Sequence, residues 1–529
     1  MMLAHDSIWL PIRAPEIQVL VAKILAGAVN GSGLRRNLAC NLVGESIPAL
    51  AALAAIPILV HRLGAERFGV LTLAWMLAGY FGLFDFGLGR ALNQAMAREW
   101  SVGNGARAAA MFWTALAMTF ALSAFAALGL ALLAPWLTRS ALTIPPPLRH
   151  ETLTGLYLIA SGLPMLISAS ALRAALSAAD RFDLLNLVRT PVGIMSFGAP
   201  LLMLPFTHNL AWLIGVLVLN RALSWTIYLG VLCRAFPDLR AHFRIDPECA
   251  FPLLGFGAWI TVSAAVAPML VYLDRFFIGV LLPIAALAAY SIPMEIVSKS
   301  FLLPAAVSGV MFPAFARSFT ASAATTTALF ARSLKLVALI LCPLCAAVVT
   351  FAPQIMSLWI GGPLVAQSST VLQILAVGAF ITGLAWIPLA LLHGARRPDL
   401  PAKLHLLDFP IYALLLWFSI DKFGLTGAAL TWSGRLLLEN LVLFAMAANF
   451  IDASARAIVG ACIALALAIL VVAAGAYIDD IYLKAIFLCG VTMMTAVAAW
   501  RFLLEETGRE KIIGSLPSLF APACQKTST

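Results

Sequence analysis

Ten ionisable side chains lie where a charge is expensive: Glu45, Asp85, Arg221, Asp274, Arg275, Glu295, Lys299, Asp408, Arg435 and Glu439. Each falls in an apolar stretch long enough to cross a bilayer. In hydrocarbon such a group costs several kcal/mol unless it faces a partner or a wet cavity. Arginine binds anions through a planar fork that cannot lose its charge. A buried carboxylate can take up a proton or Na⁺. Glu295 with Lys299, and Arg435 with Glu439, are spaced i, i+4, so each pair can also bridge on one helix face. The ten residues suggest a polar interior within a membrane-embedded bundle, and the rest of the chain offers no other place for function.

The elements that must hold these residues are transmembrane helices. Hydrophobic residues make up 62% of the 529 and charged residues 11%, against roughly 25% charged in soluble domains. Mean hydropathy is +0.98. A soluble fold is excluded by these values, and no segments of alternating polarity suggest a β-barrel. The formal charge of +10 does not indicate a nucleic-acid partner. Its lysines and arginines sit mainly at alternate helix ends, which is a topology signal rather than a phosphate-binding face. Cys342 and Cys345 form a lone CxxC inside an apolar run, read as packed thiols rather than a metal or redox site. No cofactor is expected.

The expected fold is an all-α polytopic membrane protein of about fourteen helices. The first six cover Leu38–Val60, Arg67–Leu88, Ala109–Leu137, Leu153–Leu176, Leu187–Phe206 and Ala211–Phe236. The next six cover Pro252–Val280, Ala285–Phe312, Leu334–Ile360, Thr370–Leu392, Leu404–Ile420 and Thr426–Asn449. Ala457–Tyr477 and Tyr482–Leu504 complete the set. The domains are then a cytoplasmic segment 1–36, an N-lobe 37–250, a C-lobe 251–450, a helix pair 451–505 and a cytoplasmic tail 506–529. Residues 1–36 lack the order of a signal peptide, and Pro11–Ala28 could form an interfacial amphipathic helix. Placing both termini in the cytoplasm gives inside loops a roughly threefold excess of basic residues. Arg62, Arg67, Arg139, Arg149, Lys422 and Lys484 fall outside, while Arg98, Arg107, Arg173, Arg181 and Arg189 fall inside. The longest internal loop is expected at Ala314–Ser333, too short for a catalytic domain.

The two halves echo each other. PILVHRLGAERFGVL, from Pro57 to Leu71, and PMLVYLDRFFIGVL, from Pro268 to Leu281, share Pro-x-Leu-Val, Arg-Phe and Gly-Val-Leu. The offset is about 210 residues, or six helices, which keeps orientation and implies a pseudo-two-fold axis along the membrane normal. A cleft between two six-helix lobes is where a transporter usually holds its substrate. Pro57, Pro268 and Pro293 should kink the helices that flank it.

These segments resemble the oligosaccharide and polysaccharide flippases of the multidrug/oligosaccharidyl-lipid/polysaccharide exporter superfamily. The likeness rests on Leu63, Gly64, Phe68 and Gly69, then Asp85, Gly87 and Leu88, across the second helix. It continues in LLGFGAWITVSAAVAPMLVYLDRFFIG, Leu253 to Gly279, and in Tyr290 with Phe312-Pro313. The resemblance implies a lipid-linked oligosaccharide, on undecaprenyl diphosphate, moved from the cytoplasmic to the periplasmic leaflet of the bacterial inner membrane. It implies membrane lipids and polysaccharide-assembly proteins as partners. Arg275, Lys299, Arg221, Glu295 and Asp274 are then cleft residues, with Arg275 the foremost diphosphate contact. Alternatively, Asp274 and Arg275 fix their helix at the periplasmic end, and Glu295–Lys299 is a purely structural pair. Arg221 has no mate in its own helix, and Asp85 is one candidate. Glu45, Asp85 and Asp408 are the candidates for H⁺ or Na⁺ coupling. Rival readings are a cation-coupled multidrug exporter, a lipid-precursor flippase for peptidoglycan, and a membrane enzyme. The last lacks the extramembrane loop it would need.

Overall fold

A backbone in hydrocarbon must pair its own N–H and C=O groups, and the described residues accordingly form helices without a strand. The computed structural model describes residues 32–83, 85, 87–254, 258–451 and 455–502. The expected N-terminal segment up to residue 31, its interfacial helix, and the tail 506–529 lie outside the described residues. In chain order the first half holds α1 (Ser32–Leu83), α2 (Leu88–Ser101), α3 (Gly105–Trp136), α4 (Arg149–Ala178), α5 (Phe182–Met203), α6 (Leu210–Ala235), α7 (Pro237–Ala241) and α8 (Pro247–Leu254). The second half holds α9 (Ala258–Leu281), α10 (Ile284–Ser300), α11 (Leu302–Ala321), α12 (Ala323–Thr350), α13 (Ala352–Trp359), α14 (Val365–Gly394) and α15 (Asp399–Ala448). A terminal pair follows, α16 (Ala455–Ala474) and α17 (Ile481–Phe502).

Among the described residues, nine helical stretches are long and apolar enough to cross a membrane. Two of them fold back at a glycine. Gly64 takes φ 75°, ψ 168° inside α1, and Gly424 takes φ 57°, ψ −136° inside α15. Both lie in the positive-φ region where a Cβ is strained. α5, α9 and α16 add helices of 22, 24 and 20 residues. Length and apolarity alone do not fix the total at fourteen.

Several expected boundaries change: the eighth and ninth expected helices divide at Phe301 and Phe351, and two further changes alter the layout more. The second expected helix does not run unbroken through Leu88. It stops at Leu83 and restarts as α2, with Gly87 in a left-handed conformation at φ 76°. The expected loop at Ala314–Ser333 is helix: α11 and α12 are separated by Ser322 alone. Ser322 caps α12 by accepting from the Thr325 N–H at 3.1 Å, and Thr326 and Thr327 return their hydroxyls to carbonyls four residues earlier. Satisfying these groups locally lets a polar, alanine-rich stretch continue as helix beyond the apolar region.

The same helix pairs meet in both halves. α4 packs on α3 and α6, as α14 packs on α12 and α15; α5 packs on α1, as α15 packs on α9. With lipid on the outside, close approach rather than hydrophobic transfer drives such contacts. A Cβ on Gly162 of α4 would come 2.7 Å from Val218, and one on Gly378 of α14 would come 2.6 Å from Trp432. Each half thus has a central helix with a small residue against its partner.

The halves join near the Gly64 turn. Ala52, Ile56, Leu59, Phe68 and Leu71 of α1 share one buried cluster with Ile278, Ile284, Leu287 and Tyr290. The α3–α4 connection docks there too, through Thr143 N–H to the Gly279 carbonyl at 3.1 Å and Ile284 N–H to the Thr143 carbonyl at 3.3 Å. Trp359 Nε1 donates to the Leu53 carbonyl at 2.7 Å. Within the first half, Arg67 grips Glu151 with two hydrogen bonds of 2.8 and 3.0 Å, and Glu151 also accepts the Leu210 N–H at 2.9 Å. That staple binds the second arm of α1 to the starts of α4 and α6.

Two substitutions test this packing. A Cβ at Gly69 would lie 2.2 Å from the Ile284 carbonyl oxygen. Gly→Ala inside a helix normally gains about 1 kcal/mol, so a lower thermal midpoint for Gly69→Ala would reveal the clash across the seam; a higher one would mean the halves do not touch there. Glu151→Gln weakens a charge-assisted bidentate pair and should cost about 1–3 kcal/mol in bilayer unfolding.

Candidate functional site

Below the sealed end, α9 presents Tyr272 and Arg275, three residues apart and so on one helix face. The Arg275 guanidinium lies over the Tyr272 ring, 5.2 Å from its centroid. Tyr272 reaches across to the first half: a Cβ on Gly79 of α1 would fall 2.2 Å from its hydroxyl. The charges nearest Tyr272 come from three helices, Arg275 and Asp274 on α9, Glu295 on α10 and Arg221 on α6. Lys299 completes this side by pairing with Glu295 at 2.9 Å, with both side chains about one-third exposed at 31% and 34%.

Asp274 and Arg275 diverge because adjacent residues do not share a helix face. Asp274 is fully buried. It accepts the Tyr290 hydroxyl of α10 at 2.7 Å, tying the two helices together behind the site. Arg275 is half-buried and turned toward Tyr272. Asp274 thus ties α9 to α10, while Arg275 faces Tyr272.

The first half contributes a row of arginines. Arg221 is half-buried and lines a small cavity with Trp75 and Ser196. Its electrostatic neighbours are Arg173 of α4, Tyr228 and Tyr272. Arg173 in turn neighbours Arg189 of α5 and Asp85. Asp85 accepts the Gly87 and Gly89 N–H groups at 3.0 and 3.2 Å, which satisfies donors at the start of α2 where the helix resumes. Among the described residues Asp85 therefore reaches Arg173 rather than Arg221. Beside the row, a cavity of about 280 Å³ opens between α1, α9 and α15, lined by Met76, Tyr80, Phe81, Met269, Phe276 and Phe409. It is apolar and aromatic.

A second polar cluster sits within α15. Arg435 contacts Asp408 through Nε at 2.9 Å and Glu439 through Nη2 at 2.7 Å. Glu439 also faces His405 Nε2 at 3.2 Å. The guanidinium lies 4.8 Å above the Tyr412 ring, and Nη1 points to the Leu270 carbonyl of α9 at 3.4 Å.

Of the residues singled out in the sequence, Arg221, Arg275 and Glu295 act electrostatically on Tyr272, Lys299 pairs with Glu295, and Asp274 is engaged behind them with Tyr290. Asp85 lies toward Arg173, and Asp408 belongs to the second cluster. Glu45 is on α1, but its side chain lies outside the described residues. Sequence reasoning missed Arg173, Arg189 and His405. The two arginines had been counted as cytoplasmic-end charges, yet they lie within α4 and α5 on either side of the turn at residues 179–181. Their near-symmetric placement about that turn was the available signal. Cys342 and Cys345 are buried free thiols, and no metal-holding group of three occurs among the described residues.

Paired helix arrays meeting along a charged seam define a multi-pass membrane protein with a transporter architecture. The chain belongs to the family described as "Polysaccharide biosynthesis protein", which matches residues 58–363. A Shigella flexneri protein provisionally named as an O-antigen transporter is 27% identical over 410 residues, spanning 77% of this chain and 96% of that one. The fold is similar to that of a multidrug resistance MATE family transporter of the MOP superfamily in an inward-facing conformation. That match has TM-score 0.65, 14% identity, and covers 77% of this chain and 96% of the other. It is also similar to the lipid II flippase MurJ in an inward closed conformation, with TM-score 0.63, 11% identity, and 88% and 99% covered. Family and structural neighbours are transporters and flippases, not enzymes.

The Gly79–Tyr272 contact can be tested by a double-mutant cycle. Gly79→Ala should destabilise the wild-type chain and do so by about 1–2 kcal/mol less when Tyr272 is already alanine. Additive effects would place the two residues apart.

Proposed function

We propose that this protein is a flippase that carries a lipid-linked oligosaccharide, on a polyprenyl diphosphate, from the cytoplasmic to the periplasmic leaflet for surface polysaccharide biosynthesis. The observation that supports this reading most is the charge of the seam. Among the described residues, Arg173, Arg221, Arg275 and Lys299 outnumber Asp85, Asp274 and Glu295, and Asp274 is already engaged with Tyr290. A diphosphate stripped of water needs fixed cations to replace its hydration, and arginine does so bidentately. Each sugar hydroxyl moved into hydrocarbon without a partner would add roughly 2–7 kcal/mol, so a polar passage is required as well. The apolar aromatic cavity beside the arginines suits a polyprenyl tail that stays at the lipid boundary.

The way the halves meet supports alternating access. Contacts between them include those at the Gly64 and Leu281–Ile284 end, and the distribution of basic loop residues supports a periplasmic place for that end. Rocking about the seam would loosen Gly69 from Ile284 and Thr143 from Gly279. The inner membrane and cytoplasmic termini belong to this reading, as do H⁺ or Na⁺ coupling and partners in polysaccharide assembly. A multidrug exporter of cations fits less well, because a cationic cargo would meet like charge at Arg221 and Arg275. The MurJ likeness extends to the fold and leaves a peptidoglycan precursor as the rival cargo.

In proteoliposomes with a fluorescent polyprenyl-diphosphate oligosaccharide, Arg221→Glu and Arg173→Glu should each slow flipping by about tenfold or more. Arg→Lys at the same positions should retain most of the rate. Equal rates for the lysine and glutamate variants would overturn the anionic-cargo reading. A strain without the protein should accumulate cargo on the cytoplasmic leaflet while continuing to make it.

A further inference from the structure

Charge counting in the α15 cluster leaves one charge unbalanced. Arg435 supplies a single positive charge against two carboxylates, Asp408 and Glu439. The side chains are mostly buried, at 9% exposed for Arg435, 15% for Asp408, 12% for Glu439 and 19% for His405. With His405 neutral the cluster has net charge −1, which is costly inside a bilayer. One added proton removes it. His405 Nε2 lies 3.2 Å from Glu439, so a proton between the two would be shared by imidazole and carboxylate, while the buried Nδ1 has no hydrogen-bond partner. Tyr412 gives a second, independent sign that the cluster is incomplete. It is fully buried beneath the guanidinium, and its hydroxyl also has no hydrogen-bond partner.

We infer that His405, Asp408, Arg435 and Glu439 form a binding site for one exchangeable proton, held between His405 and Glu439 and favoured by the further negative charge of Asp408. A metal cation would suit the place less well, since the Arg435 guanidinium already lies between Asp408 and Glu439. A second cation would have to displace it.

The surrounding groups leave the count intact. His393 of α14 faces His405, with Arg90 of α2 near His393, and Arg90 is exposed to solvent. Beyond Tyr412 lie Asp274 and Arg275 of α9, which offset each other. Lys403 pairs with Asp399 at 3.3 Å one turn earlier on α15. Because Arg435 also reaches the Leu270 carbonyl of α9, the helix that presents Tyr272 and Arg275, gain or loss of the proton would act on the substrate seam through that contact.

The inference rests on the flippase reading for the proton's purpose, as the coupling ion, but not for its existence. The test is therefore spectroscopic. The full chain in lipid nanodiscs is taken by pH jump between about pH 8 and about pH 5, the range in which histidine titrates, and imidazole and carboxyl bands are read by infrared difference. The expected result is uptake of one proton by this site, with an imidazole signal that disappears in His405→Gln. Asp408→Asn should suppress the same signal although Asp408 does not touch His405, because the cluster is then neutral without the proton. Arg435→Lys, which keeps the charge count, should retain it. The inference is overturned if no group of the cluster titrates, if Asp408→Asn leaves the His405 signal unchanged, or if saturating Na⁺ abolishes it. Should Asp408→Asn fail to fold, the proton count of wild type against His405→Gln decides by itself. Failure of the flipping assay would not alter these bands, so the two readings fail separately.

Discussion

A charge in a bilayer must be matched by its immediate surroundings, because no bulk water is present to screen it. This constraint organises the molecule. Where opposite charges can pair, they do so within or between neighbouring helices: Glu295 with Lys299, and Arg435 with Asp408 and Glu439. Arg173 and Arg221 act on each other within the first half, with Asp85 beside Arg173 and Tyr272 of the second half beside Arg221. An excess of cations in a bilayer is tolerable only with water or an anionic ligand, which is the reason for proposing the seam as the place for a substrate.

The rest of the fold positions that seam. Small residues let α4 and α14 pack closely with their neighbours, so each half is stiff without relying on hydrophobic transfer. The Gly64 turn and the α9–α10 turn bring the halves together at one end through backbone hydrogen bonds and close apolar contact. Tyr272 then spans the gap further in, against Gly79 on one side and under Arg275 on the other. Movement of one half against the other would change the spacing between Arg221 and Arg275, which come from opposite sides.

Much of this was legible in the chain. Apolar runs gave the helices, the Pro57 and Pro268 segments pointed to two similar halves, and the buried charges named Arg221, Arg275 and Glu295, which act on Tyr272. What could not be read reflects physics that one dimension hides. Arg173 looked like a helix-end charge because linear distance to a turn says nothing about which way the helix faces. His405 drew no notice in the chain, because its partner Glu439, 3.2 Å away in space, lies 34 positions along the sequence. The stretch 314–333 looked like a loop because its alanines, serines and threonines are too polar for a span, yet such residues form helix readily when the hydroxyls are satisfied locally. Asp85 had the composition of a coupling site, and the structure shows it also doing the work of a cap at a helix break.

The central claim is that arginines from both halves hold one anionic headgroup. Solid-state NMR dephasing between labelled arginine Cζ and the phosphorus of bound polyprenyl diphosphate addresses it directly, with Arg221 and Arg275 assigned by substitution. The account predicts phosphorus contacts at both residues, one from each half. Contacts at neither, with the ligand demonstrably bound, would contradict it.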